Sequence, residues 1–179
     1  MTWIRTVSLE DADGPLKNLY DRIMDPNGHI DNVLMAHSLR PHLMEGHFDL
    51  REHVLNNSAN ALAKWKLDAI GIYVSLLNGC DYCVEYYFAS LENIVEAEED
   101  ASRLRAALEA GEPERVFTGA DLAMMFYANL LTARPDKISV SMIEELRNAG
   151  LEDGEILEIN QAVAYFSYVN RTVLGLGIH

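Results

Sequence analysis

The sequence predicts an all-α protein built as one multi-helix domain. Apolar residues recur at helical spacing along the chain, and no segment alternates apolar with polar residues as a strand does. Stretches rich in Gly, Pro, Asn and Asp separate the helical segments. A chain of 179 residues is long enough for one sizeable hydrophobic core and too short to favour two. We therefore expect a single domain over 1–179, with N-terminal helices in 1–58 and a core that carries both cysteines in 60–179.

The first predicted helices have recognisable boundaries. A helix over 13–24 should end at the Asp-Pro-Asn-Gly turn of 25–28, and a second segment begins near Ile30. Pro41 suits the start of the next helix, because its missing N–H needs no partner there. The apolar spacing that follows predicts that this helix continues to Leu55.

The middle of the chain predicts a buried helix followed by a turn. Residues 61–77 are apolar on nearly every side after Leu67, which is typical of a central helix, and Asn78-Gly79 should end it. A further helix should begin near Cys80 and continue through Val95. Breaks containing Gly or Pro separate the remaining predicted helices, which span about 103–109, 121–131, 139–150 and 153–174.

Charge and hydropathy narrow the function classes. The chain has 14 basic and 28 acidic residues, and a formal net charge of −14 argues against a nucleic-acid partner. No apolar stretch reaches the roughly 18 residues of a membrane span. Charged residues interrupt the first 25 positions, which excludes the apolar segment of a signal peptide there. We therefore expect a cytoplasmic protein with no nucleic-acid or membrane partner.

The only two cysteines, Cys80 and Cys83, form a C-x-x-C pair at the predicted start of a helix. The unpaired N–H groups and the positive dipole end of a helix favour an anion, so a thiol here should have a pKa below its usual value of about 8.5. Residues i and i+3 of a helix hold their Cβ atoms farther apart than a relaxed disulfide requires. A bridge here should therefore be easily reduced, which favours a redox dithiol over a structural crosslink.

Two other interpretations of the pair remain open. Structural zinc needs about four nitrogen or sulfur ligands, so histidines would have to complete the site. Alternatively, the cysteines are inert core residues, because free cysteine is among the most buried residue types.

Asp68 is the only charge between Leu67 and Leu77. Burial of an unpaired carboxylate is costly, so Asp68 is either a partnered or functional group inside the protein or a surface residue paired with Lys64 at i, i+4. Ser75 lies on the same predicted helical face, and together they could present a polar line to the next helix.

These residues resemble the AhpD-like, peroxidase-related proteins of the carboxymuconolactone decarboxylase superfamily over about 64–179. The family motif is an acid, eleven residues, C-x-x-C, three residues and a histidine. Asp68, Cys80 and Cys83 occupy the first three positions, although the family acid is Glu. Tyr87 occupies the histidine position, and tyrosine, with a reference pKa of about 10, is a poor general base at neutral pH. Further matches are Leu131-Thr-Ala-Arg-Pro135, Leu146-Arg-Asn-Ala-Gly150 and Ala164-Tyr-Phe-x-x-x-Asn170-Arg171.

The resemblance implies a thiol-dependent alkyl hydroperoxide reductase. Cys83 would attack the peroxide and Cys80 would resolve the sulfenic acid into a disulfide. Tyr87 would orient or stabilise the Cys83 thiolate, and Asp68 would tune the local field. The resemblance also implies an external dithiol reductant, of lipoyl type in some relatives, and a homo-oligomer, with neither a cofactor nor a resident metal.

Two other functions remain open at this point. The first is a non-catalytic or redox-sensing protein with the same fold and an impaired proton relay. The second is an enzyme like carboxymuconolactone decarboxylase, although lactone decarboxylation has no evident need for two thiols.

Residues outside the motif also invite functional interpretation. The N-terminal histidines, some of which could line a pocket entrance, are His37, His42, His47 and His53. Arg171 could bind a substrate carboxylate, but a structural salt bridge is the favoured interpretation.

Overall fold

The computed structural model describes residues 2–94 and 98–179, which form helices and no strand. The all-α prediction is confirmed. Within these ranges the α-helices are α1 (Gly14–Ile23), α2 (Asn32–Ala36), α3 (Pro41–Leu55), α4 (Lys64–Asn78), α5 (Asp81–Glu92), α6 (Glu98–Glu109), α7 (Gly119–Ala133), α8 (Val140–Asn148) and α9 (Asp153–Leu176). Short 3₁₀ helices at Pro113–Arg115 and Pro135–Lys137 flank α7.

Helix α4 lies at the centre of the protein and packs against α5, α7 and α9. Every residue from 67 to 75 is buried, as expected of a helix with apolar side chains all around it. The helix starts later than predicted, at Lys64. The backbone N–H groups of Ala61 and Leu62 instead donate to the carboxylate of Glu158 on α9, which holds the segment before Lys64 outside the helix.

The N-terminal helices form a second, smaller hydrophobic cluster against this core. Leu16, Leu19 and Tyr20 of α1 pack with Leu34 of α2 and Met44 of α3. Helices α2 and α3 also pack against α9. This packing brings side chains from the first third of the chain close to the helix that carries the C-terminal part of the motif.

Residues before α1 are held against the end of α9. The N–H of Trp3 and the hydroxyl of Thr2 both donate to the carbonyl of Leu176, each at 2.8 Å. The Trp3 ring lies over Gly177, where a Cβ would overlap it, and Gly177 has the positive φ of 61° that favours glycine. The contact places Ile4 beside the end of α9.

Other helix boundaries agree closely with the prediction. Helix α1 is one residue shorter at each end than expected, and α3 runs over the predicted 41–55. Helix α5 ends at Glu92, and the expected continuation to Val95 lies outside the described residues. In the part of the chain that the structure describes, no helix has the length and apolar character needed to cross a membrane.

Candidate active site

The two cysteines lie at the junction of α4 and α5. Gly79 ends α4 with a positive φ of 68°, and the N–H of Cys80 donates to the carbonyl of Ser75 at 2.9 Å, which is a Schellman-type C-terminus. Cys80 is the N-terminal cap of α5, and Cys83 lies in its first turn. Both cysteines are free and buried. The prediction of a dithiol at a helix start is therefore confirmed, with Cys80 one position before the helix.

The two thiols share a hydrogen bond that separates their acidities. Hydrogen bonding from Cys83 and from the amide of Asn170 lowers the pKa of the Cys80 thiol to about 7. The same bond to Cys80, together with burial, raises the pKa of the Cys83 thiol. Near neutral pH the pair therefore loses one proton readily and retains the other, as strongly coupled groups do.

Only one of the two cysteines lines the neighbouring cavity. Cys83 lines it, whereas Cys80 is not among its lining residues, which are Asp31, Val33, His47, Tyr82, Cys83, Tyr86, Tyr87, Tyr165 and Val169. The space open to the centre of a water-sized sphere is about 10 Å³, which holds about one water. A small group that enters this cavity meets Cys83, and Cys80 lies behind it.

Tyr87 is buried beside Cys83 in this cavity. Burial raises the pKa of Tyr87 well above 10, and a hydrogen bond to Tyr165 raises it further. Its ring packs edge-on against Phe166 with centroids 4.6 Å apart. Tyr87 therefore remains a protonated hydrogen-bond donor near neutral pH, in agreement with the weak basicity inferred for it.

Asp68 combines the two alternatives left open by the sequence, because it is fully buried and paired with Lys64. Its second carboxylate oxygen accepts a hydrogen bond of 2.9 Å from Ser90 on α5. Burial raises the pKa of Asp68, and the bonds from Lys64 and Ser90 oppose that change. Asp68 does not line the Cys83 cavity. Asp68 and Ser75 do not form the expected polar line toward α5, because Ser75 hydrogen-bonds to α9 instead.

The structure adds His47, from α3, to the predicted set. It is buried and lines the Cys83 cavity. Its Nε2 lies 3.5 Å from the hydroxyl of Tyr165, and its Nδ1 lies 3.4 Å from that of Tyr168. Burial lowers the pKa of His47 to about 3, and the neighbouring His37 and Arg51 contribute to the decrease. The imidazole is therefore neutral at physiological pH.

His47 and Tyr87 belong to one line of polar groups. Tyr87 bonds to Tyr165, and the Tyr165 hydroxyl lies within hydrogen-bonding distance of the His47 imidazole. An imidazole thus reaches the cavity from α3 although the motif position on α5 holds tyrosine. The only sequence signal for it was the group of N-terminal histidines, of which His42 and His53 are exposed.

Asn170 is a second residue that the site prediction omitted. Its side chain is fully buried, and its Nδ2 donates to the Ser75 hydroxyl at 3.0 Å while its Oδ1 accepts from Asn78. Its amide also hydrogen-bonds to the dithiol and lowers the pKa of both cysteines. The signal for this residue was its place beside Arg171 in the C-terminal part of the family pattern.

The structure does not support the favoured interpretation of Arg171. Its guanidinium donates to the carbonyl of Ser167 at 2.6 Å, and no carboxylate pairs with it among the described residues. Across 2–94 and 98–179, no three His, Cys, Asp or Glu side chains come together as a group that could hold a metal ion.

Comparison with solved structures identifies the fold. No protein-family model matches the sequence, and no curated protein is detectably similar to it. A peroxidase-related protein from Ralstonia eutropha JMP134, described as an alkylhydroperoxidase AhpD core, superimposes with a TM-score of 0.85 at 19% identity, over 99% of this chain and 91% of the other. The protein has an AhpD-like fold.

Two further solved structures share the AhpD-like fold. An uncharacterized peroxidase-related protein from Silicibacter sp. TM1040 matches with a TM-score of 0.81 at 20% identity, over 99% of this chain and 91% of that one. The debrominase Bmp8 matches with a TM-score of 0.76 at 18% identity, over 96% and 88% of the two chains. Proteins with different described activities therefore share this architecture, so the reaction must be argued from the site.

Proposed function

We propose that the protein is a thiol-dependent hydroperoxide reductase in which Cys83 attacks the peroxide and Cys80 resolves the product. The observation that carries this proposal is the position of a buried, hydrogen-bonded dithiol with only Cys83 on a cavity that holds about one water. A terminal peroxide oxygen fits such a space. The pKa of about 7 belongs to Cys80, and that of Cys83 is raised, so Cys83 becomes a thiolate only when a neighbouring base takes its proton.

In the first step, the Cys83 thiolate forms a bond to the terminal peroxide oxygen and the O–O bond breaks. The sulfur is oxidised to a sulfenic acid, and the departing alkoxide takes a proton to become an alcohol. In the second step, the Cys80 thiolate attacks the Cys83 sulfur, and hydroxide leaves with a proton as water. An external dithiol then reduces the disulfide by thiol exchange and is itself oxidised to a disulfide.

His47 is the group we propose for proton transfer at the cavity. A neutral imidazole can accept the proton that Cys83 loses, directly or through the cavity water, and return it to the alkoxide. The thiolate then formed favours the imidazolium beside it, which offsets the low pKa that burial imposes. Tyr87 and Tyr165 donate hydrogen bonds along the same line and orient the imidazole.

The roles proposed for the predicted motif residues are unequal. Tyr87 lies on the cavity, and because its hydroxyl proton is donated to Tyr165, we assign it the role of orienting the groups around Cys83. Asp68 acts at longer range through Lys64, whose Nζ lies 6.0 Å from the centre of the Tyr87 ring. We therefore regard Asp68 as a positioning residue.

Debromination is the competing reaction, because Bmp8 shares the fold and its cysteine-to-alanine variant has been solved with 2,3,4-tribromopyrrole. The size of the cavity beside Cys83 favours a peroxide, since a brominated ring needs far more space than one water.

The decisive experiment is the intact mass of the reduced protein after one equivalent of organic hydroperoxide, with Cys80→Ser and Cys83→Ser measured beside it. We expect wild type to lose two hydrogens, and Cys80→Ser to gain one oxygen that a sulfenic-acid reagent traps on Cys83. An unchanged wild-type mass would support the non-catalytic alternative. Oxygen trapped on Cys80 in the Cys83→Ser variant, with none on Cys83 in the Cys80→Ser variant, would reverse the assigned order.

A further inference from the structure

A second, larger concave surface lies close to the dithiol cavity. It is a groove of about 660 Å³ between the N-terminal segment, the α2–α3 region and α9, and this volume is typical of a small-molecule site. Apolar side chains dominate its lining, among them Ile4, Leu39, Leu43 and Leu176. Ile4 and Leu43 are 41% and 53% exposed, so the groove presents apolar surface to solvent.

Unpaired positive charge accompanies this apolar surface. Arg40 and Arg171 line the groove, and Arg5 follows its lining residue Ile4. Among the described residues these are the three cations without a carboxylate partner, since every other lysine and arginine forms an ion pair. In a chain of net charge −14, the two uncompensated arginines that line the groove, Arg40 and Arg171, give it a charge complementary to an anion.

The groove and the cavity are separated by a single layer of rings. His37 and Tyr168 line the groove, and His47 and Tyr165 line the cavity. The His47 ring centroid lies 5.0 Å from that of His37 and 5.5 Å from that of Tyr168. Tyr168 is 42% exposed, so its ring can move without opening the core. A chain bound in the groove therefore lies one layer of rings away from the cavity.

We propose that the groove binds an aliphatic carboxylic acid, and that hydroperoxides of such acids are the substrates. The arginines Arg40 and Arg171 bind the carboxylate, and the hydrocarbon chain lies along Leu39 and Leu43. Each guanidinium donates one identified hydrogen bond, to a backbone carbonyl, which leaves its fork available to an anion. The binding claim stands on the groove alone, whereas the substrate claim rests on the proposed function.

The binding claim is tested by calorimetric titration with octanoate and with 1-octanol, which has the same chain length and no charge. Wild type should bind octanoate more tightly than octanol. The Arg40→Gln/Arg171→Gln variant should lose roughly three- to tenfold in octanoate affinity, the scale of two partly exposed ion pairs. Arg134→Gln, which removes an exposed arginine paired with Asp136 away from the groove, should bind octanoate as wild type does.

Two outcomes would overturn the binding claim: equal affinity of wild type for octanoate and octanol, or unchanged octanoate affinity in the double arginine variant. Leu43→Glu gives an independent check at a position that is 53% exposed. Its added carboxylate should weaken octanoate binding more than octanol binding, and an equal loss for both ligands would contradict an anion site.

The substrate claim needs its own measurement. A fatty-acid hydroperoxide should oxidise the dithiol roughly three- to tenfold faster than its methyl ester, and the double arginine variant should abolish that preference. Equal rates for acid and ester would overturn the claim. Cys80→Ser/Cys83→Ser should bind octanoate with wild-type affinity. If octanoate binds but no hydroperoxide oxidises the thiols, the proposed function is rejected and the binding claim is retained. If a hydroperoxide oxidises the thiols but octanoate does not bind, the binding claim is rejected and the proposed function is retained.

Discussion

The ring of Phe166 on α9 occupies the space that any side chain at Gly71 on α4 would need. A Cβ added at Gly71 would overlap the end of this ring. Gly71 lies within the buried part of α4, and Phe166 is fully buried. The same ring packs against Tyr87 of the candidate site, with centroids 4.6 Å apart. The close approach of α4 and α9 therefore also positions a residue next to Cys83.

Gly71→Ala should destabilise the protein by about 1–3 kcal/mol, because the new methyl group forces Phe166 out of a packed core. Gly46→Ala is the matched control, since Gly46 lies in α3 with no atom near its would-be Cβ. That substitution should stabilise by about 0.5–1 kcal/mol through helix propensity. Urea unfolding of both variants measures the difference, and equal behaviour would contradict the close approach.

Asn170→Ala should raise the pKa of the Cys80 thiol above about 7, because the amide that hydrogen-bonds to the dithiol is lost. It should also destabilise the protein by about 1–3 kcal/mol, since the Ser75 hydroxyl loses its buried partner. Asn129→Ala removes a similar bond, to the Tyr73 hydroxyl on α4. The pH dependence of cysteine alkylation should shift in Asn170→Ala only. A shift in both variants would mean that the change in thiol pKa comes from general loss of packing.

His47 should make stability depend on acid pH. Its pKa in the folded state is about 3, below the usual 6.5, so the unfolded chain binds more protons between these values. Stability is therefore fully present above about pH 6.5 and falls as the pH decreases toward 3, by at most about 1.4 kcal/mol per pH unit. His47→Phe should flatten this dependence in urea titrations from pH 4 to 7. His53→Gln, at an exposed position, should retain it.

Lys64→Met should destabilise the protein by roughly 1–3 kcal/mol, because the buried Asp68 carboxylate would keep only its bond from Ser90. Lys17→Met is the matched control, since Lys17 forms an i, i+4 pair with Asp21 at the surface. Loss of that pair should change stability by less than about 1 kcal/mol. If Asp68→Asn restores the stability of Lys64→Met, the cost arises from the unpaired charge, and absence of rescue would assign it to lost packing.

The sequence predicted local features better than contacts between distant segments. Helical spacing located the central helix. The isolation of Asp68 within it predicted a side chain that is either buried or paired with Lys64, and Asp68 is both. The position of the dithiol followed from the turn after Asn78, because turn chemistry is local. The catalytic roles of these residues, the homo-oligomer, the cytoplasmic location and the division at 58–60 stay predictions.

Contacts across the tertiary structure were not accessible in the same way. His47 reaches the Cys83 cavity because α3 packs on α9, and helix-forming patterns do not reveal which faces meet. The salt bridge favoured for Arg171 is not found among the described residues, because charge balance along a chain does not fix which carboxylates lie nearby. The abundance of acids in this sequence makes a partner for every arginine a natural but unsafe expectation.

The small volume beside Cys83 also bears on damage by excess oxidant. Conversion of a sulfenic acid to the irreversible sulfinic acid requires a second peroxide to reach the same sulfur. A space for about one water is filled once an oxygen is bound to Cys83, while Cys80 is already in hydrogen-bonding contact from the other side. Under the proposed chemistry, disulfide formation is therefore faster than oxidation of Cys83 to the sulfinic acid. Thiols should then restore the reduced protein after exposure to a large excess of peroxide.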